Sequence, residues 1–282
     1  MNPAYAVAAI SSSLWGLADF LGGFAARRAP APLVTCFSGL AALGLLLLVM
    51  PFVPGSPTGL DLAWGAAAGV CGAAGASLMY RSLALGPMSL ASPVFSLIGL
   101  TVPVLFGLAA GERPSTIAWW GVALAMLAIP LLSMTGEGPG HYPRAHVRRT
   151  LGVSILAGLV IGWFLVFVAR IGGAAGLMPL AVARGTAMVI LGGWYLSRRQ
   201  TLLPDAPART PALAAGALDS AANVAFLIAV HQAPLVLVSA LVSLAPAVTV
   251  VAARLTFGER WTAAQGTGLL MALTAGVCIS MG

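Results

Sequence analysis

The chain has 282 residues, of which 60% are hydrophobic and 7% charged, with a mean hydropathy of +0.99. A soluble domain carries roughly a quarter of its residues as charges, so this composition excludes a water-soluble globule and implies an integral membrane protein. The net charge of +7 comes from 14 arginines with no lysine, and no basic patch with interleaved aromatics is present, which excludes a nucleic-acid partner.

The first apolar segment, 4–26, is too long for a signal-peptide core and lacks a basic start; it reads as a retained membrane helix. Segments 31–51, 61–81, 87–110 and 115–135 follow, then 151–170, 177–197, 210–231, 234–257 and 262–281. Each is near the ~20 residues that span a bilayer. The separators are short and punctuated by Pro, Gly or Arg, as at Arg27–Pro30, Pro51–Pro57 and Pro204–Pro211. The longest polar stretch, Gly136–Arg149, joins the two sets of five. Cys36, Cys71 and Cys278 fall inside apolar segments without metal-ligand spacing and read as small buried hydrophobes.

The two sets are copies. Pro87–Arg113 recurs as Pro234–Arg260 after a shift of 147 positions, with ten of 27 residues identical. Among the identities are Ser92/Ser239, Ser96/Ser243 and Gly111-Glu112-Arg113 against Gly258-Glu259-Arg260. The expected fold is therefore all-α and integral to the membrane, with ten transmembrane helices. An N-terminal five-helix repeat spans 1–136, a connecting loop 137–150 and a C-terminal five-helix repeat 151–282. An odd number of spans per repeat inverts the second copy, about a pseudo-two-fold axis in the membrane plane and around a central cavity.

Eleven arginines border the loops after odd-numbered spans, and only Arg113 and Arg170 border the others. Setting aside Arg81 and Arg254, which the segment limits place within helices, leaves nine against two. The positive-inside rule then makes the odd loops cytoplasmic and turns both termini outward. Trp64, Trp119, Trp120, Trp194 and Trp261 lie near span ends and read as an interfacial belt. Trp15 and Trp163 are mid-span, at places equivalent between the repeats if one residue of slip is allowed.

Three ionisable residues lie well inside spans: Asp19, Arg184 and Asp219. A charge in hydrocarbon costs at least about 2.5–3.5 kcal/mol, so each needs a cavity or a partner. Ser12, Trp15 and Asp19 share one face of span one; Asp219, Asn223 and Phe226 share one face of span eight. Both carboxylates fall roughly 10–12 Å from the expected cytoplasmic surface. Two readings stand side by side: the aspartates line a cavity, as proton-coupling candidates with Asp219 ahead of Asp19, or one of them pairs with Arg184 and ties helices together. Arg184 either anchors a substrate carboxylate or snorkels to the near surface. Ser92/Ser96 and Ser239/Ser243 form hydroxyl pairs one helical turn apart, near Pro93, Pro103 and Pro246. They either line the cavity beside kinks or provide close packing, as Gly65-x-x-x-Gly69 and Gly158-x-x-x-Gly162 do. The candidate substrate-binding set is Trp15, Asp19, Ser92, Ser96, Trp163, Arg184, Asp219, Asn223, Ser239 and Ser243. No catalytic triad, phosphate loop or metal signature is present, which argues against an enzyme, and no cofactor is expected.

The five-span duplication, Trp15-Gly16 in span one, Arg184 in the second span of the second repeat, and the Gly-Glu-Arg triplets after spans four and nine resemble the EamA-type members of the drug/metabolite transporter superfamily. The resemblance covers 4–281. It departs at Cys36-Phe37, which stand where the counterpart of Arg184 belongs. It implies a ten-helix exporter of the bacterial inner membrane that moves small metabolites such as amino acids, often with protons. It also implies cytoplasmic termini, against the arginine count.

The leading functional expectation is a secondary transporter exporting an amino acid or similar zwitterion by alternating access. A passive channel or lipid flippase and a membrane-embedded enzyme are the alternatives. The expected partners are the lipid bilayer and a small-molecule substrate, with a monomer as the simplest assembly.

Overall fold

A computed structural model describes residues 2–85, 88–132, 134, 144–257 and 262–281. Pro87, most of the connecting loop (135–143), the triplet Gly258–Arg260, Trp261 and the side chain of Arg254 lie outside the described residues.

The described chain is helical: α1 (Pro3–Ala26), α2 (Ala31–Val49), α3 (Gly59–Leu85), α4 (Met88–Ala109), α5 (Thr116–Leu132), α6 (Arg144–Ala169), α7 (Met178–Ser197), α8 (Ala206–Val230), α9 (Leu235–Val242), α10 (Ala245–Phe257) and α11 (Ala263–Met281). Among the described residues nine stretches are long and apolar enough to cross a membrane, and α5 is a shorter apolar helix. Helix α6 starts at Arg144 and so takes in Arg148 and Arg149, which the sequence pattern leaves in a loop. Basic side chains at a membrane interface can extend a helix into the headgroups without entering hydrocarbon.

The ninth span is broken into α9 and α10, whereas the fourth runs unbroken through Pro93 and Pro103. Pro246 lacks an N–H and crowds the carbonyl four residues back, that of Val242. That carbonyl accepts instead from Ser12 Oγ at 3.3 Å, and Ser243 Oγ donates to Ala240 O at 2.8 Å. The cost of the break is thus met by side chains.

Packing follows the duplication. Exchanging the halves turns α1 against α8 into α6 against α3, α4 against α6 into α9–α10 against α1, and α3 against α7 into α8 against α2; all these pairs are in contact. Glycines admit the close approaches. Gly69 of α3 sits on the Ala183 carbonyl, and its 147-shifted equivalent Gly216 of α8 sits on that of Ser38. Gly16 meets Ala245 and Gly158 meets Ile98, and Ile98 and Ala245 are themselves equivalent. Helices α5 and α11 pair mainly with each other at the edge.

Polar ties close one end of the bundle. Asn2 Nδ2 donates to Gln232 O at 2.9 Å, Gly172 N to Asp61 Oδ1 at 2.7 Å, and Ser56 N to Ala174 O at 2.8 Å. This end carries Arg113 and Arg170; Arg27, Arg28, Arg148, Arg149, Arg198, Arg199 and Arg209 lie toward the other.

Candidate functional site

A cavity lies between the halves, walled by α1–α4 from the first and α6–α9 from the second, with Ser243 at the break. About 130 Å³ is open to the centre of a water molecule, room for on the order of ten waters and so for a small metabolite. Among the described residues its charged linings are Asp19, Arg184 and Asp219, the three mid-span ionisable residues of the sequence.

Asp219 is fully engaged. Its Oδ1 accepts from Trp15 Nε1 at 2.9 Å and from Asn223 Nδ2 at 3.2 Å, while Oδ2 forms an ion pair with Arg184 Nη2. Asn223 Nδ2 also donates to the Asp219 main-chain oxygen at 2.7 Å. Trp15 is braced by Phe226, with ring centroids 5.6 Å apart. Helices α1, α7 and α8 thus converge on one carboxylate. The two readings of Arg184 and Asp219 merge: they are paired, and the pair faces the cavity. Arg184 points inward, its side chain 15% exposed, and does not snorkel.

Asp19 is the opposite case. It is buried, lines the cavity and lies within electrostatic reach of Asp219, yet it has no hydrogen bond or ion pair among the described residues. Tyr80 lines the same cavity, within electrostatic reach of all three charges. Gly22 leaves no room for a side chain against the Tyr80 ring, so α1 and α3 meet closely just beside Asp19.

The other candidates divide. Ser96, Ser239 and Ser243 line the cavity. Ser239 is buried and its hydroxyl has no partner among the described residues. Ser92 is buried too, but away from the cavity. Asn223 lies behind Asp219 and supports it without lining the cavity. Trp163 is corrected outright: 46% exposed, it packs on Phe167 at the protein surface. One residue of slip rotates a side chain by about 100° around a helix, and here that carries the tryptophan to the lipid side. Cys71, expected as a buried hydrophobe, also lines the cavity.

Sequence reasoning missed Tyr80, Phe95 and Phe164 in the wall, because an aromatic in an apolar run carries no signal of its facing. It also missed the role of Glu112. Gly111 takes a φ of +96°, which turns the chain back past the end of α4. Glu112 Oε1 and Oε2 then accept from Leu235 N at 2.8 Å and Val236 N at 2.9 Å, capping α9. Gly107 is bare where a side chain would strike the Glu112 carboxylate. Half of the Gly-Glu-Arg repeat marker is therefore a clamp that sets the helix bearing Ser239.

Among the described residues, nine long apolar helices and the shorter α5 surround a mostly apolar cavity that carries three charges, the build of a multi-pass membrane protein. Residues 2–134, just under half of the chain, match the model of the EamA-like transporter family, a likeness that points to a membrane transporter of small molecules. One solved crystal structure of a protein superposes with a TM-score of 0.74 at 14% identity, over 99% of this chain and 96% of that one. That likeness is one of fold. Among curated proteins none matches the chain in sequence.

Proposed function

We propose that the chain is a secondary active transporter that exports a small metabolite from the bacterial cell across the inner membrane by alternating access. The observation that carries this reading is the placement of all three mid-span ionisable residues in one cavity between duplicated halves. Charges in hydrocarbon are expensive and are kept where they face a pathway. The exchange of packing partners supports two inverted repeats, the arrangement in which one half rocks against the other around a fixed site. The arginine asymmetry supports a cytoplasmic basic end and outward termini. Size supports a metabolite of about amino-acid dimensions.

Proton coupling belongs to Asp19 in this reading, ahead of Asp219. A proton on Asp219 would leave Arg184 an unpaired, partly buried cation, whereas a proton on Asp19 removes a buried charge that has no partner among the described residues. Reconstituted vesicles with an imposed pH gradient test it. The parental chain should accumulate labelled substrate with saturable kinetics, and uptake that is linear in concentration and indifferent to the gradient would point to a passive channel.

A further inference from the structure

The cavity's charges are not balanced. Arg184 and Asp219 neutralise each other, and Asp19 remains as a buried carboxylate with no counter-charge among the described residues. An uncompensated charge in a low-dielectric interior is unstable until something neutralises it. An anion in this space adds repulsion. A zwitterion adds no net charge, and its carboxylate meets a guanidinium already occupied by Asp219. A cation cancels the excess, taking the place of the proton that otherwise neutralises Asp19.

The rest of the wall fits the same ligand. Trp15, Tyr80, Phe95 and Phe164 supply aromatic surface, whose ring faces attract ammonium groups. Ser239 offers a buried hydroxyl without a partner among the described residues, able to accept from an N–H.

We propose that the cavity selects an organic cation, an ammonium group on a small apolar or aromatic body, with Asp19 as its counter-ion and Arg184 reserved for Asp219. This rests on the transporter reading for its setting and replaces the zwitterion as the substrate class. Asp19 makes the charge contact, Ser239 and the aromatic rings seat the body, and the Arg184–Asp219 pair holds Trp15 in place.

Phenethylamine, phenylalanine and 3-phenylpropionate share one apolar body and differ in charge, so isothermal titration of the purified full chain separates the classes. Phenethylamine should bind at least about tenfold more tightly than phenylalanine, and phenylpropionate most weakly. Asp19→Asn should weaken phenethylamine by about tenfold or more, and Asp19→Glu should retain most of the affinity. Retention by the Glu variant shows that the Asn effect is loss of charge rather than loss of fold. Phenylalanine binding as tightly as phenethylamine, phenethylamine binding that Asp19→Asn leaves unmoved, or no phenethylamine binding each overturns the proposal. Exchange across reconstituted vesicles separates this from the transporter reading. Phenylalanine bound and exchanged removes the cation and keeps the transporter. Phenethylamine bound through Asp19 but never exchanged keeps the site and removes transport.

Discussion

The two halves of this protein agree in how they pack and disagree in what they bring to the cavity. Gly69 and Gly216, equivalent by the 147-residue shift, each press on a backbone carbonyl of the opposite half. In the site the equivalence dissolves. Arg184 corresponds to Phe37, Asp219 to Gly72, Asp19 to Val166 and Trp15 to Gly162. Duplication preserved the glycines because helix contact requires them on both sides. It left charges single because a second set would double the buried cost. A nearly symmetric frame thus carries a one-sided set of charges.

The largest expected effect comes from breaking the charged side of that contrast. Arg184→Met alone or Asp219→Leu alone leaves its partner partly buried and unpaired, at a cost of up to about 3–5 kcal/mol. The double variant brings the second half closer to its apolar counterpart, and its melting temperature should return close to the parental value while transport stays absent. A double variant as unstable as either single one would show that the pair holds the helices by more than charge balance.

Asp19→Asn probes the other half. The fold should persist, because no hydrogen bond among the described residues is lost, and accumulation against a gradient should disappear. If Asp219→Asn proves the more damaging of the two for coupling while binding survives in both, the assignment of Asp19 as the coupling residue is wrong.

The frame itself is tested at its equivalent glycines. Gly69→Ala and Gly216→Ala each place a methyl against a carbonyl, and overpacking of this kind costs about 1–3 kcal/mol. Thermal melts should fall for both, and a drop confined to one would limit the symmetry of the packing. The smallest effect is expected at the clamp. Glu112→Gln keeps the shape but removes the charge from the start of α9, at about 1 kcal/mol. Labelling of Ser239→Cys by a membrane-impermeant thiol reagent from the side of the termini should rise in that background.

Much of the fold is legible in the residues alone. Hydropathy locates the spans, since a helix in lipid must satisfy its own backbone and hide its charges. The same rule marks Asp19, Arg184 and Asp219 as site residues, for three charges in long apolar runs have few places to go. Partners are not legible: whether Arg184 takes Asp19 or Asp219 depends on helix rotation, which spacing along the chain does not set. The break in span nine is ambiguous for a related reason. Pro93 and Pro103 leave α4 continuous, while Pro246 accompanies a break that Ser12 and Ser243 stabilise from the side. Ser92 and Trp163 fall outside the cavity because equivalence between repeats is not equivalence of facing. Glu112 is visible as a repeated charge, but its partner lies 123 positions away.

Transport through this cavity is tested most directly in vesicles holding the parental chain or Asp19→Asn, with an imposed pH gradient and labelled phenethylamine or phenylalanine, whichever the protein binds. The parental chain should accumulate the ligand saturably, and Asp19→Asn should only equilibrate it. Equal accumulation by both, or none by a parental chain that binds the ligand, would contradict a proton-coupled transporter working through Asp19.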